Sequence, residues 1–272
     1  FALGDSLAVS KEGKSETGMI LNAVRHEISE PLLEIEAEGG YSARVTKSHR
    51  LKVFASQKLE IVSRPPLEMK ETDYLISATK VPNVTEMKEI DVAGEIIKNS
   101  NFSEKVEART EAFSDFVPIR NLEKSQIKEI RYGKSELHLP SKIPFSKELL
   151  RLLGYFASEG SLGGKIAITF GPHEIEYAKD AKACAEKSFG TPAHVHDRKT
   201  SLRVEFGGTL AEMILRDVLD AGEGAENKRI PWIVFNAPSE MKKEFLRGYF
   251  RGDGTLIFSK RGCRLSATTI SR

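Results

Sequence analysis

The amino-acid sequence predicts a multidomain chain in which an all-β segment precedes an α+β domain. Three observations carry this prediction. Short apolar or alternating runs fill residues 1–78, helical and strand-like patterns alternate after residue 140, and one helical motif occurs twice in that later region, 94 positions apart. With 272 residues and 40% hydrophobic content, the chain is long enough for one large or two ordinary domains.

The first 78 residues have the pattern of short β-strands. Apolar or alternating runs are separated by turn-forming pairs such as Gly39-Gly40 and Pro65-Pro66. The predicted strands cover residues 32–37, 41–45, 51–54 and 73–76. Residues 79–140 are mixed and charged, with a helical stretch at 91–98 and few apolar faces. We interpret 79–140 as a connecting or accessory region.

The region after Leu139-Pro140 has a different pattern, which predicts an α+β domain over 141–272. The predicted helices cover 147–158, 175–189 and 210–221, and the predicted strands cover 166–170 and 202–206. This region carries 21 basic and 16 acidic residues, a net charge of +5. A basic surplus in one domain is compatible with binding to a phosphate backbone.

The internal repeat is the most informative feature of the sequence. Leu152-Leu-Gly-Tyr-Phe-Ala-Ser-Glu-Gly-Ser recurs as Leu246-Arg-Gly-Tyr-Phe-Arg-Gly-Asp-Gly-Thr. In each copy a glycine, Gly154 or Gly248, precedes the acid by five residues, where a missing side chain lets two helices approach closely. Another glycine, Gly160 or Gly254, follows the acid, and we expect it to end the helix in the left-handed conformation.

Two repeated helices that pack about a pseudo-dyad would bring Glu159 and Asp253 to the same end of their interface. Two carboxylates repel each other there, and the partial negative charge of each helix C-terminus adds to the cost. A divalent cation such as Mg²⁺ removes both penalties, because it takes hard oxygen ligands. Such an ion can activate water and stabilise charge in phosphodiester hydrolysis. We therefore predict that Glu159 and Asp253 are catalytic metal ligands.

The repeated motif, over roughly 139–272, resembles the LAGLIDADG or dodecapeptide (DOD-type) homing endonucleases. The resemblance implies an α+β LAGLIDADG endonuclease domain with pseudo-two-fold αββαββα repeats, which makes double-strand breaks at a long site in double-stranded DNA. Asn227-Lys-Arg-Ile-Pro is similar to the Lys-x-Ile-Pro block of that family, which implies that Lys228 is a catalytic lysine. Only 18 residues follow Gly254, so we expect the second repeat to be incomplete.

The same resemblance implies a DNA-binding surface. In that family each repeat supplies a curved sheet that lies in the major groove, so basic residues of the strands and turns are the implied contacts to phosphates or base edges. They are Lys165, Arg198, Lys199, Arg203, Lys260, Arg261 and Arg264. His194 and His196 alternate on a predicted strand without a further ligand nearby, and we interpret them as sheet-face residues.

Three ordered patterns in the first 78 residues resemble an intein (Hint) splicing domain. Gly4-Asp5-Ser6 is similar to the first intein block, Thr46 and His49 have a Thr-x-x-His spacing, and Leu67-Glu-Met-Lys-Glu-Thr-Asp-Tyr-Leu-Ile is similar to the segment after the second block. The resemblance implies an all-β Hint-like domain in which Thr46 and His49 assist an N-to-S or N-to-O acyl shift, without a cofactor. Its implied partners are the host-protein exteins.

Two features bear on splicing by this chain. Phe1 is not a nucleophile, so we expect a cysteine or serine just upstream, unless this form cannot start the reaction. No His-Asn pair of the kind that ends inteins precedes Arg272. The sequence therefore predicts a truncated fragment or one half of a split intein, whose partner would be a complementary C-terminal fragment.

Three functions remain open from the sequence. The first is an intein-encoded homing endonuclease, and the others are a splicing element with an inactive nuclease and a non-cleaving DNA-binding regulator with the LAGLIDADG fold. Intact Glu159, Asp253 and Lys228 favour the first. The apolar runs are too short to span a membrane and no signal segment begins at Phe1, so we expect a cytoplasmic chain without a membrane partner. We expect Cys184 and Cys263, which are far apart, to be buried and unpaired.

Overall fold

The computed structural model describes residues 6–11, 14–25, 27–37, 41–76, 87–98, 103–259 and 262–270. The chain forms two compact units, Phe1–Val84 and Thr85–Arg272. The boundary between them falls inside the predicted connecting region, 79–140, and all of the described residues of that region belong to the second unit. In the ranges that the structure describes, no helix is both long and apolar enough to cross a membrane.

The described part of the first unit consists mainly of short antiparallel strands. They are β1 (Ser6–Lys11), β2 (Lys14–Met19), β3 (Leu33–Ala37), β4 (Tyr41–Val45), β5 (Leu51–Ala55), β6 (Glu60–Arg64) and β7 (Asp73–Leu75). β1 pairs with β2, β3 pairs with β4, and β5 lies between β6 and β7. Val53 and Ala55 on β5 are buried, as alternation along a strand requires. The four predicted strands are confirmed.

The second unit begins with a small sheet and a short helix. Its first elements are β8 (Glu89–Asp91), α1 (Val92–Lys98), β9 (Val106–Thr110), β10 (Val117–Pro118), β11 (Ile127–Tyr132), β12 (His138–Pro140) and β13 (Lys142–Pro144). The strand order of the sheet is β10-β9-β11-β12, and β8 pairs separately with β13. Because β13 leads directly into the first motif helix, this pairing ties residues 89–91 to the start of that helix.

The two motifs lie within the rest of the second unit. Its elements are α2 (Lys147–Glu159), β14 (Gly160–Leu162), β15 (Ile166–Phe170), α3 (Ile175–Phe189), β16 (Ala193–Asp197), β17 (Leu202–Phe206), α4 (Gly208–Met213), a π-helical turn (Ile214–Val218), α5 (Trp232–Asn236), α6 (Ser239–Gly252), β18 (Gly254–Ser259) and β19 (Gly262–Ala267). The antiparallel sheet has the order β14-β15-β17-β16, and β18 pairs with β19.

Local sequence explains where α2 begins and where α3 ends. Ser146 caps α2 by accepting a hydrogen bond from the Leu149 backbone nitrogen at 3.1 Å. Gly190 ends α3 in the left-handed conformation, with φ 66°. The predicted helices at 147–158 and 175–189 are confirmed. The helix predicted at 210–221 is α4 followed by the π-helical turn, and its last helical residue is Val218.

The two cysteines differ in exposure. Cys184 is buried on the core side of α3, as predicted, and Cys263 is exposed on β19. The prediction for Cys263 is wrong because the β18–β19 hairpin leaves most of its residues open to solvent. Alternation within the hairpin sequence gave no sign of this, since it describes which residues share a face and not what covers that face.

Candidate active site

The two motif helices, α2 and α6, cross at their glycines. A Cβ atom added to Gly154 would lie 2.1 Å from the carbonyl oxygen of Phe245, and one added to Gly248 would lie 2.2 Å from the carbonyl oxygen of Arg151. Both the glycines and the residues they face are related by the 94-residue offset. The contacts therefore obey a pseudo-two-fold axis between the helices, and the predicted close approach at Gly154 and Gly248 is confirmed.

The last turns of α2 and α6 also touch. A Cβ atom at Gly252 would lie 2.2 Å from the Ser158 hydroxyl oxygen and 2.8 Å from the Glu159 Cγ atom. Ser158 and Gly252 occupy equivalent positions in the two motifs, so this contact lies close to the pseudo-axis. Each is followed directly by an acid, and the contact therefore brings Glu159 and Asp253 to the same end of the crossing.

The glycine after each acid is needed for space. Gly160 has φ −78° and ψ 150°, an extended conformation that starts β14, so the predicted left-handed helix end is wrong. A Cβ atom there would lie 2.2 Å from the Phe156 ring, and one at Gly254 would lie 2.0 Å from the Phe250 carbonyl oxygen. The chain turns straight from helix into strand, and only a glycine fits against the preceding helical turn.

The two acids are half-buried, and the charge of Asp253 acts on Glu159. Burial raises the pKa of Glu159, the Asp253 carboxylate raises it further, and Lys228 opposes the shift. Burial also raises the pKa of Asp253, again against the effect of Lys228. Holding both carboxylates ionised therefore costs free energy that nearby positive charge can offset.

Lys228 completes the site from the loop before α5. Its side chain is half-buried, its Nζ donates a hydrogen bond to the Ser158 carbonyl oxygen at 3.1 Å, and it lies 5.6 Å from the centre of the Phe156 ring. Burial lowers the pKa of Lys228, while Asp253 and Glu159 oppose this. The structure thus brings together three residues that are distant in sequence.

The donor chemistry of the acids fits a hard divalent cation. Across the described ranges, no group of three or more His, Cys, Asp or Glu side chains is arranged to hold a metal ion. Mg²⁺ does not require such a group, because it is usually bound through one or two carboxylates together with substrate phosphates and water. Glu159 and Asp253, at two helix ends, supply this smaller set.

The predicted DNA contacts fall into separate places. Lys165 and Arg203 flank Glu205 on the sheet face that α3 does not cover, with Arg203 Nε 2.9 Å from the carboxylate. His196 Nε2 lies 3.4 Å from the same acid, whose side chain is only 8% exposed. These basic side chains therefore cover Glu205, and the spacing of the residues in the sequence did not predict this arrangement.

Three more of the predicted contacts lie among the described residues. Arg198 and Lys199 are exposed in the turn between β16 and β17, and Arg264 is exposed on β19. Lys260 and Arg261 lie outside the described residues. The described members of the predicted set therefore lie on the four-stranded sheet, in its β16–β17 turn and on the β18–β19 hairpin.

In the first unit, Thr46 and His49 share one tight turn after β4. The His49 backbone nitrogen donates to the Thr46 carbonyl oxygen at 3.1 Å, and the Thr46 hydroxyl lies 3.4 Å from that of Ser48. Thr46 is half-buried and His49 is exposed. Of the first predicted splicing block, Gly4 and Asp5 lie outside the described residues, as does Phe1.

A polar network beside the helix crossing was not predicted. The Tyr155 hydroxyl donates to Asp180 Oδ2 at 2.9 Å, and Arg251 Nη1 donates to the same oxygen at 2.8 Å and to the Tyr155 hydroxyl at 2.6 Å. One signal was available, since Arg251 stands where the first motif copy has Ala157. The sequence around Asp180 contained no such signal, because Asp180 reaches Tyr155 and Arg251 only through the packing of α3 against α2.

No protein-family model matches the chain. An uncharacterized protein of Methanocaldococcus jannaschii is 28% identical over 84% of the chain, and transcription initiation factor IIB of the same organism is 25% identical over 86%. The DNA polymerase II large subunit of Thermococcus kodakarensis is 30% identical over 47% of the chain. The chain spans 30%, 25% and 7% of the lengths of these relatives, respectively. It is thus similar to limited segments of proteins whose names differ.

Proposed function

We propose that the chain is part of an intein-encoded, site-specific homing endonuclease, in which a LAGLIDADG nuclease domain is joined to a Hint-like splicing domain. The observation that carries the nuclease proposal is the pseudo-symmetric crossing of α2 and α6, which places Glu159 and Asp253 beside Lys228. A helix pair built only for stability would have little reason to bring two acids to adjoining helix C-termini.

The acids and the lysine of this site have different roles in the proposed reaction. Glu159 and Asp253 would hold Mg²⁺, which when bound supplies an activated water and stabilises charge on the scissile phosphate. Lys228 is held by the Ser158 carbonyl next to the acids, so its ammonium can stabilise negative charge that develops on phosphate oxygens. The glycine contacts keep the two acid-bearing turns adjacent.

The sheet face around Glu205 is the proposed DNA contact surface of the sheet β14-β15-β17-β16. Lys165 and Arg203 lie on it, and Arg198 and Lys199 extend it at the β16–β17 turn. Such side chains neutralise phosphates and can donate to guanine edges in the major groove. The net charge of +5 on residues 141–272 favours the same partner, double-stranded DNA.

The comparisons support the proposal that this chain is a segment inserted into different host proteins. The chain is similar, over more than four-fifths of its length, to both an uncharacterized protein and a transcription initiation factor, and in part to a DNA polymerase. In each relative it accounts for less than a third of the protein. A segment shared by proteins with unrelated names is what an intein in different host proteins would produce. We therefore propose that the first unit, with Thr46 and His49, is a splicing domain.

Metal removal tests the nuclease proposal. Incubation with Mg²⁺ and a plasmid library of candidate target sites is expected to give double-strand breaks that EDTA abolishes. Mg²⁺ should also raise the melting temperature of the metal-free chain, because an ion at a hundred times its Kd stabilises by about 2.7 kcal/mol. KCl at equal ionic strength is the control and should cause no such rise. Cleavage that persists in EDTA would reject the proposed mechanism.

The splicing proposal has its own test. A reporter is joined to Phe1 through one cysteine, so that an N-to-S shift moves the reporter's acyl group from the cysteine nitrogen to its sulfur. Dithiothreitol then exchanges with this thioester and releases the reporter, while the cysteine stays on the chain, so the release rate measures the shift. We expect His49→Ala to slow release by about 10²-fold or more, since general acid–base catalysis contributes about 10²–10⁴-fold. The matched control is His173→Ala, which removes an exposed histidine of the second unit. Equal release by the His49 variant and the parent chain would reject the assigned role.

A further inference from the structure

We propose that Tyr155, Asp180 and Arg251, together called the clamp, hold the two acid-bearing helix ends in register and so set the affinity of the site for a divalent cation. The clamp residues do not bind the ion; they are positioning residues that act through Glu159 and Asp253. This inference rests on the proposed nuclease function and adds to it the means by which two mutually repelling carboxylates are kept together.

The clamp connects three helices at one point. Tyr155 lies on α2, Asp180 on α3 and Arg251 on α6, and all three pairs among them are joined by hydrogen bonds of 2.6–2.9 Å. Tyr155 is fully buried, and the Arg251 guanidinium also lies 5.0 Å from the centre of the Tyr177 ring on α3. A closed triangle of short bonds around a buried hydroxyl permits little relative movement of the helices.

The position of the clamp along the helices links it to the metal site. Arg251 precedes Asp253 by two residues, and Tyr155 precedes Glu159 by four, about one helical turn. A shift of Arg251 would therefore move the Asp253 turn relative to the Glu159 turn. Gly252, between Arg251 and Asp253, packs directly against Ser158, so the clamp and the closest contact of the two turns are adjacent.

The clamp breaks the pseudo-symmetry of the site. Tyr249 is equivalent to Tyr155, and Ala157 is equivalent to Arg251, so the first motif helix has no matching arginine to reach across the axis. The glycine contacts follow the two-fold relation and the clamp does not. The glycines allow close approach, whereas Arg251 ties the last turn of α6 to Tyr155 on α2 and Asp180 on α3.

A neighbouring ion pair supplies a matched control. Arg151 donates to Asp180 Oδ1 at 2.8 Å and to Glu244 at 2.7 Å, so it is as strongly paired as Arg251. It lies eight residues before Glu159, about 12 Å along the helix. Its removal leaves both hydrogen bonds to Asp180 Oδ2 in place. Arg151→Gln and Arg251→Gln should therefore cost similar stability, while only the second affects the metal site.

The experiment measures Mn²⁺ binding to the full chain by calorimetry, without DNA or cleavage. Outer partners that orient metal ligands typically contribute about 10- to 100-fold in metal affinity, and we expect Arg251→Gln to weaken Mn²⁺ binding within that range. Tyr155→Phe, which removes one hydroxyl and keeps the Arg251–Asp180 pair, should have a smaller effect in the same direction. Arg251→Lys should recover part of the affinity. Arg151→Gln should bind Mn²⁺ like the parent chain.

The outcomes separate this inference from the function on which it rests. A parent chain that neither binds Mn²⁺ nor cuts DNA contradicts the proposed nuclease. A parent chain that binds Mn²⁺, with unchanged affinity in Arg251→Gln, overturns the clamp alone, as does an equal loss in Arg151→Gln. If Arg251→Gln does not fold, as judged by circular dichroism, the comparison of Tyr155→Phe with Arg151→Gln decides the question.

Discussion

Replacing Asp253 with asparagine is expected to lower the rate of DNA cleavage by about 10³-fold while DNA binding is retained. Asparagine keeps the shape of the side chain and removes the charge that, under the proposed function, would hold the cation. A catalytic metal contributes several kcal/mol of charge stabilisation, and a loss of about 4 kcal/mol corresponds to about 10³ in rate. Glu159→Gln should behave similarly. The double variant should cleave DNA only slightly more slowly than either single variant, because loss of one acid would already disable the shared metal site.

The measurement is the single-turnover cleavage rate in Mg²⁺, with DNA affinity measured separately in Ca²⁺. Glu176→Gln is the control, because Glu176 is an exposed acid on α3 that forms an ion pair with Lys179 on the same helix. It should cut at the parent rate. An Asp253→Asn variant that also cuts at the parent rate would end the endonuclease assignment. A parent chain that binds DNA and never cuts it would favour a splicing element with an inactive nuclease or a DNA-binding regulator.

Gly248→Ala is expected to destabilise the second unit by about 3 kcal/mol, at the upper end of the usual cost of overpacking. The added methyl group would lie 2.2 Å from the Arg151 carbonyl oxygen and 2.8 Å from the Tyr155 nitrogen. Both are backbone atoms of a helix, so neither can rotate away, and α6 must move off α2 instead. Gly154→Ala should have the same effect, because its surroundings are equivalent.

Urea denaturation measures this loss as a lower midpoint. Gly163→Ala is the matched control, since a Cβ atom there would meet nothing within 4 Å, and its stability should stay close to that of the parent chain. Because Gly154 and Gly248 face each other's helices, one displacement relieves both clashes, and the double variant should lose less than the sum of the single losses. Unchanged stability in Gly248→Ala would contradict the backbone contact itself.

The sequence allowed the helix crossing to be predicted, together with Glu159, Asp253 and Lys228 as its candidate site residues. Each of these predictions depends on a pattern within the chain. Gly154 and Gly248 recur at a fixed offset, and Lys228 stands in a block whose resemblance gave it a role. Gly160 was misjudged, because capping statistics describe how helices usually end and not a helix that turns directly into a strand.

The features that could not be predicted arise from packing between distant segments. Asp180 and Glu205 stand in an ordinary helix and an ordinary strand, and neither has a repeated counterpart or a motif around it. Their importance comes from what surrounds them, two arginines and a tyrosine in one case and three basic side chains in the other. A repeated pattern along the chain cannot predict neighbours that come from other segments.

The clamp contains an arginine from only one of the two motif helices, and this asymmetry has a consequence for protein engineering. A hybrid that joins the first half of this chain to the second half of a relative would take Asp180 from one parent and the residue at position 251 from the other. Any junction between α3 and α6 separates them. Under the proposed clamp, recombined halves should bind the divalent cation with parental affinity only when the incoming half brings an arginine at that position, which makes the pair a criterion for choosing parents.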